Sequence, residues 1–235
     1  MNNLTMRRGI ELGVVILLLA TVAISAQMDQ KLAQALQQNV QALRQYTWKS
    51  QTEIQNGGET KSVQLSLMRY DIDGTLRKSP ISATPQQKLP TRGIRGLIAQ
   101  KKKQNFMETL DSLGALAKSY SELSSDEMQR FMASAIVTPE ISSQQKLIRI
   151  KGNNVLRPGD SMTLWVDAVT RKQRKVEIQT TLEGKPVRIV SNFQDLPNGP
   201  TYMARSVVDY PSEELTLITE NFDYERVMPN ESSMR

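Results

Sequence analysis

The chain has 235 residues, a length that fits one domain, and its 30 Lys and Arg against 24 Asp and Glu give a formal net charge of +6. This modest basic excess is common on solvated surfaces and does not argue for nucleic acid, although it suits an anionic membrane surface or an acidic partner. Cysteine and histidine are both absent, which excludes disulfides, thiolate nucleophiles, Cys or His zinc sites and Ser-His-Asp triads, so we expect a protein that is not an enzyme and has no cofactor or metal.

The amino-terminal segment, residues 1–26, predicts a secretory signal peptide. Arg7 and Arg8 precede an apolar run over residues 14–24, and small residues ending at Ala26 follow it. No cysteine lies nearby to accept a lipid, so we expect the protein to leave the cytoplasm and its mature form to be unacylated. The alternative is an uncleaved membrane anchor formed by residues 9–26.

The mature chain opens with a predicted amphipathic helix over residues 29–45. Its apolar side chains recur every three or four residues, with Gln and Lys elsewhere. This stripe consists of Leu32, Leu36, Val40 and Leu43. Such a helix must lie on an apolar surface.

A hairpin and a third short strand are predicted next. Residues 46–55 have a period of two, which places Trp48 on one face with Tyr46 and Ile54. Asn56-Gly57-Gly58 and Asp73-Gly74 supply the turns, because these residues tolerate positive backbone angles. Val63, Leu65 and Leu67 line one face of the second strand, and the third strand ends by Pro80.

A helical insertion over about residues 97–135 follows a loop rich in Pro, Ser and Thr. It contains two apolar stripes, separated by an expected helix cap at Ser124 or Ser125 with Glu127 close behind. The first stripe is Phe106, Leu110, Leu113 and Ala117, and the second is Met128, Phe131, Met132 and Ala135. Pro139 is expected to close the insertion.

The remainder of the chain predicts short strands that alternate with turns. Apolar positions at Met162, Leu164 and Val166 alternate with more polar ones, and Val176, Ile178 and Leu182 form the apolar side of a half-buried strand. With the earlier strands this makes about nine, in antiparallel meander order and with the spacing of a barrel or sandwich.

We therefore expect an α+β fold, an incomplete antiparallel β-barrel in which a curled sheet of about nine strands has helices covering its concave side. A sheet with so much apolar face must curl around something, and the helices are the available filler and lid. If they fill the concavity loosely, the remainder is an aliphatic cavity that binds apolar molecules. If they fill it tightly, the protein is a helix-plugged sheet. The domain is expected to span residues 27–228, followed by a tail at 229–235.

Two short segments resemble a known family. The run Leu164-Trp165-Val166-Asp167, followed by Thr170-Arg171-Lys172 and a strand from Arg174 to Thr181, resembles the W-x-D segment of periplasmic LolA/LolB-like lipoprotein-sorting proteins. The closing run Asn221-Phe222-Asp223-Tyr224 and the order of elements over residues 28–228 are similar to the same group. The resemblance implies an incomplete barrel closed by helices that carries acyl chains or a lipid-bearing peptide across the periplasm by non-covalent binding. The longer helical insertion departs from the best-known carriers and leaves the cargo open.

These observations predict a periplasmic, non-catalytic carrier or binder of lipid, acyl chains or lipoprotein, with at most peripheral membrane contact. The alternative is an envelope sensor or adaptor that binds a protein partner through the sheet, through Lys101–Lys103 or through residues 171–175, without carrying lipid. The residues expected to contact the ligand are Trp48, Leu65, Leu67, Leu164, Val166, Val176, Ile178, Phe106, Leu110 and Phe131.

Overall fold

The computed structural model describes residue 32 and residues 34–71, 73–83, 93–141 and 145–227. The predicted signal peptide and the predicted tail lie outside these described residues. The helices are α1 (34–43), α2 (Gly93–Ser121) and α3 (Ser125–Ser134), and a 3-10 turn spans Pro211–Glu213. The strands are β1 (Tyr46–Asn56), β2 (Glu59–Tyr70), β3 (Leu76–Ala83), β4 (Ile136–Ile141), β5 (Lys146–Asn153), β6 (Ser161–Asp167), β7 (Gln173–Leu182), β8 (Lys185–Asp195), β9 (Thr201–Tyr210) and β10 (Leu215–Arg226).

All ten strands belong to one antiparallel sheet with the order β3-β2-β1-β10-β9-β8-β7-β6-β5-β4. The last strand pairs with the first, so the two edges of the sheet are β3 and β4. The helical insertion connects these two edge strands and thus begins at one edge and ends at the other. The sheet is curled and open, with helices packed on it, which confirms the predicted α+β class and incomplete barrel.

The tenth strand is β4, which the sequence did not predict. We expected Pro139 to close the helical insertion, but it lies inside the strand Ile136–Ile141. Proline lacks a backbone N–H and is tolerated in an edge strand, where one side of the backbone has no partner strand. The other edge strand contains Pro80. A proline therefore interrupts each edge and opposes its pairing with another chain.

One face of the sheet, here called the concave face, packs against α2 and α3 and forms the core. The two predicted stripes of the insertion lie in or against this core, and Leu113 is fully buried. The most deeply buried apolar strand residues on the concave face are Ile150, Val166, Val187, Tyr210 and Leu215. Burial of each large apolar side chain contributes about 1.5–3 kcal/mol, so this contact is the main stabilising term. The opposite face is called the convex face.

Helix α1 follows its predicted stripe only in part. Leu32 lies in the core cluster and Leu36 packs against it, but Val40 is 46% exposed. The second half of α1 is held by polar contacts instead, because the Asn39 side-chain amide donates to the Thr201 carbonyl at 2.7 Å and accepts from the Thr201 N–H at 2.6 Å. The spacing of apolar residues therefore predicted a longer buried stripe than the helix has.

Two local predictions are confirmed at the ends of elements. Ser124 is the amino-terminal cap of α3, and it exchanges hydrogen bonds with Glu127 in a capping box. Gly57 and Gly58 join β1 to β2 with positive φ angles of 60° and 76°, which glycine adopts without steric cost. None of the helices within the described ranges is long and apolar enough to cross a membrane.

Candidate ligand-binding site

The aliphatic part of the concave face contains most of the predicted ligand contacts. Strands β6 and β7 pair so that Leu164 lies opposite Val176. The predicted residues in or against the continuous core cluster are Leu164, Val166, Val176, Ile178, Phe106, Leu110 and Phe131. The structure therefore brings these side chains together, and α2 and α3 pack directly on them. Here the helices act as filler rather than as the roof of an open cavity.

Leu65 and Leu67 are separated from the other predicted contacts, because they lie on the convex face. Leu67 pairs with Lys49 and is 39% exposed, whereas Trp48 pairs with Met68. The cause is a β-bulge in the hairpin: Gln55 pairs with Thr60 but Ile54 pairs with Ser62. One extra residue in β2 moves every later side chain of that strand to the other face. We had expected the apolar residues of both strands to share a face.

Trp48 and four tyrosines form a cluster of aromatic rings on the concave face, here called the aromatic group: Tyr46, Trp48, Tyr70, Tyr202 and Tyr224. Tyr224 stacks on Trp48 with ring centroids 5.4 Å apart and an interplanar angle of 7°. Tyr70 lies 5.7 Å from Trp48 on one side, and Tyr202 lies 4.4 Å from Tyr224 on the other. Trp48 is buried, yet it is not a member of the main core cluster. The aromatic group is thus a second apolar centre beside the core.

Two phenols of the aromatic group, those of Tyr224 and Tyr70, have a pKa above the ordinary value. Burial raises the pKa of Tyr224, and the neighbouring Tyr202 and Tyr70 phenols raise it further. Burial also raises the pKa of Tyr70, although the positive charge of Arg44 opposes the shift. The Arg44 guanidinium lies 6.0 Å from the centre of the Tyr70 ring. The group therefore offers ring faces and uncharged hydroxyls, with a cation at one margin.

Short polar side chains separate the aromatic group from the aliphatic core. The strand register places four of them in one row on β1, β10, β9 and β8, namely Thr52, Thr219, Ser206 and Ser191. Ser50 and Ser66 are partners in the adjacent row. The hydroxyl of Ser66 is completely buried and has no hydrogen-bond partner among the described residues. A buried hydroxyl without a partner costs about 1–3 kcal/mol, so this polar group marks a position where an additional hydrogen-bond partner would be stabilising.

The carboxyl-terminal half of α2 is fixed to the sheet by a buried hydrogen-bond network. The Tyr120 hydroxyl donates to Asp160 at 2.5 Å and lies 2.9 Å from the Thr180 hydroxyl. Asp160 also accepts the backbone N–H groups of Val155, Leu156 and Arg157, which shapes the β5–β6 loop. Burial and the bond to Asp160 raise the pKa of Tyr120 to about 12. This end of α2 is therefore an integral part of the fold.

Tyr224 was not predicted as a ligand contact for a geometric reason. In a regular strand Phe222 and Tyr224 would share a face, but Asp223 has a φ of 52° and interrupts the register with β1. Phe222 consequently pairs with Lys49 on the convex face, while Tyr224 stacks on Trp48. Within the closing Asn-Phe-Asp-Tyr run, the Asp tolerates the left-handed region and is the sequence signal for a bulge. No group of three or more acidic side chains in the ranges that the structure covers could hold a metal ion.

Comparison with known proteins found similarity only at the level of solved structures. No family model matches the chain, and no curated protein matches it. A LolA superfamily protein from Nitrosomonas europaea is 10% identical, with a TM-score of 0.37 over 85% of this chain and 97% of that one. A DUF1329 family protein from Desulfovibrio piger is 9% identical, with a TM-score of 0.41 over 89% and 98%.

The third similar structure is an outer membrane lipoprotein-sorting protein domain from Vibrio parahaemolyticus. It is 11% identical, with a TM-score of 0.44 over 87% of this chain and 96% of that one.

Proposed function

We propose that the chain is a periplasmic, non-catalytic carrier or binder of lipid, acyl chains or lipoprotein, and that it holds the apolar part of its ligand on the concave face. The mature form is secreted through a cleaved signal peptide and touches membranes only peripherally. The ligand is placed at the aromatic group around Trp48, beside the core in which Phe106, Leu110 and Phe131 of the insertion cover the aliphatic wall of Leu164, Val166, Val176 and Ile178.

The aromatic group is the observation that carries this proposal. Its rings are uncharged and lie beside the main core, separated from it by short side chains that take little space. Ring faces and aliphatic walls are the usual lining of sites for apolar ligands, and a few polar groups orient the bound molecule. The unpartnered hydroxyl of Ser66 supplies such a polar group: it can donate a hydrogen bond to an ester or carboxyl oxygen.

The two tryptophans of the chain provide a direct test, because they lie on opposite faces of the sheet. Trp48 is on the concave face, and Trp165 is on the convex face, where its Nε1 donates to Glu140. The variant Trp165→Phe keeps Trp48 as the sole emitter, and Trp48→Phe keeps Trp165. We expect a brominated fatty acid to quench emission in the Trp165→Phe variant and to leave emission in the Trp48→Phe variant unchanged.

The unbrominated fatty acid serves as the control for each variant, because it binds in the same way but does not quench. Circular dichroism checks that both variants fold. Quenching of Trp165 alone would move the ligand to the convex face and refute the proposal. Absence of any binding by native mass spectrometry and fluorescence would refute it as well.

One observation favours the alternative of an envelope adaptor that binds a protein partner without carrying lipid. On the convex face, Leu67 on β2 and Phe222 on β10 both pair with Lys49 of β1 and are 39% and 37% exposed. Leu65 lies on the same face, two residues along the strand. Exposed apolar side chains around a lysine fit a small protein contact. A partner whose binding is abolished by Leu67→Ser/Phe222→Ser, in a protein that binds no acyl probe, would establish this alternative.

A further inference from the structure

A pocket of about 450 Å³ lies between α1, the β6–β7 turn and the β8–β9 turn. It is distinct from the aromatic group, although Tyr46 borders both. Its longer polar lining residues are Gln38, Asn39, Gln45, Arg171, Lys172, Gln173, Asn198 and Arg226. The lining therefore contains three cations and no carboxylate.

The walls of this pocket are held by directional hydrogen bonds. The Asn39 amide clamps α1 to the backbone of Thr201 in the β8–β9 connection. In the β6–β7 turn, the Asp167 carboxylate accepts the N–H groups of Val169 at 2.9 Å and Thr170 at 2.7 Å. This turn holds Arg171 in a left-handed conformation with a φ of 60°. The pocket is thus formed before any ligand arrives, which lowers the entropic cost of binding.

The positive charge of the pocket is only partly balanced by the rest of the protein. Asp195 lies behind the wall, 3.4 Å from Lys172, but it also pairs with Arg174 at 3.0 Å and accepts from the Thr201 hydroxyl. The Arg226 guanidinium donates to the neutral amide oxygen of Gln45 at 2.8 Å. The Arg171 guanidinium has no ion-pair partner within the part of the chain that the structure describes.

The pocket also adjoins the proposed apolar site. Leu36 lines it and packs against the main core. Tyr46 lines it and belongs to the aromatic group, and Gly199 allows the Tyr46 hydroxyl to approach because a Cβ there would lie 3.2 Å from that oxygen. A molecule with an acyl chain against the aromatic group could therefore place its polar end among the three cations.

From this arrangement we infer that the pocket binds a phosphate group through Arg171 and Arg226, with Lys172 adding charge. Guanidinium groups match phosphate oxygens with paired N–H donors, and this match favours them over lysine for such contacts. This inference rests on the proposed function, because that function assigns the phosphate to a lipid. The ligand is then a phospholipid or phosphorylated lipid whose head group enters the pocket. A free phosphate ester has the same chemistry and is distinguished by the experiment.

The experiment compares three probes by calorimetric titration of the mature protein: dihexanoyl phosphatidate, dihexanoylglycerol and inorganic phosphate. The two lipids have the same acyl chains and differ in the phosphate. The test variant is Arg171→Asn/Arg226→Gln, in which Asn tolerates the left-handed backbone. The matched control is Lys151→Gln/Arg205→Gln, which removes the same charge from exposed positions of the convex face.

We expect the wild type to bind the phosphatidate at least about tenfold more tightly than the glyceride, as charge-assisted hydrogen bonds allow. The test variant should bind both lipids equally, and the control should keep the preference. A third outcome is that the wild type binds inorganic phosphate but neither lipid, and that the test variant does not bind phosphate. This result would support the phosphate site and refute the proposal that the protein carries acyl chains. Equal binding of both lipids by the wild type, or a preference that survives in the test variant, would overturn the phosphate site and leave the carrier standing.

Discussion

At the scale of single residues, the W-x-D segment acts as scaffold. Trp165 lies on the convex face, where it donates to Glu140 at 3.0 Å and is covered by the Lys175 ammonium, 4.5 Å from its ring centre. Asp167 turns the chain from β6 to β7 and thereby fixes Arg171. Trp165 and Asp167 thus touch neither the aromatic group nor the core, whereas Val166 between them is a buried core residue. The role of the segment is to build the wall of the basic pocket.

The role of Asp167 leads to a pH-dependent prediction. Hydrogen bonds from the backbone of Thr170 and then of Val169 lower the pKa of Asp167, although partial burial opposes this. A carboxyl group with a lowered folded-state pKa stabilises the fold above its unfolded pKa of about 3.9, and this stabilisation is lost as the pH falls through the folded value. We therefore expect Asp167→Ala to lower the free energy of unfolding by about 1 kcal/mol at neutral pH.

Urea denaturation at a series of pH values measures this difference. The deficit of Asp167→Ala relative to the wild type should be constant from pH 7 down to about pH 5 and should shrink as the pH falls below about 4. A deficit that persists undiminished in strong acid would assign the effect to lost packing and not to the carboxylate.

At the scale of elements, α2 has two unequal halves. Residues 100–105 are all exposed, and they include Lys101–Lys103. From Leu110 to Tyr120 the helix buries its apolar stripe and ends in the network with Asp160. The helices were expected to serve as filler and lid, and among the described side chains of α2 the stretch without a buried stripe is the one before Leu110. Any movable segment of the insertion must therefore lie before Leu110.

Hydrogen exchange is expected to follow this division. Amides of residues 100–108 should exchange fast, and those of residues 110–120 should be protected nearly as well as strand β7, because buried contacts determine local stability. Tyr120→Phe removes the bond to Asp160 and should accelerate exchange in residues 110–120. Met107→Ala, at an exposed position, is the control and should not. Uniform protection along α2 would contradict the division.

Periodicity predicted most elements and the apolar stripes of the insertion, because alternation and helical spacing report directly on burial. It failed where a single residue changes the register. The bulge in β2 moved Leu65 and Leu67 to the convex face, and the bulge at Asp223 divided Phe222 from Tyr224. A bulge leaves the hydrophobic pattern intact while it reverses the face, so the pattern alone could not locate the aromatic group. The basic pocket joins four segments distant in sequence and left no local signal.

At the scale of the whole molecule, the chain closes on itself through its ends. β10 pairs with β1, and α1 lies beside the turns that connect β6 to β7 and β8 to β9. The aromatic group and the basic pocket both form at this junction of early and late segments. The proposed site therefore requires the complete sheet, and a fragment without β9 and β10 would lose both parts at once.

The burial of residues near the start of the mature protein limits where the signal peptide can be cleaved. Leu32 is only 4% exposed and belongs to the core cluster, so processing must end before it. We expect the mature terminus at Ala26, Gln27 or within two positions of them, measured by intact mass spectrometry of a periplasmic extract. Recovery of residues 1–26 in a washed membrane fraction would instead support the uncleaved anchor. A chain that starts at residue 27 should be as stable as the secreted protein, whereas one that starts at residue 33 loses the Leu32 side chain and should be destabilised by about 2–5 kcal/mol, as for deletion of a buried leucine.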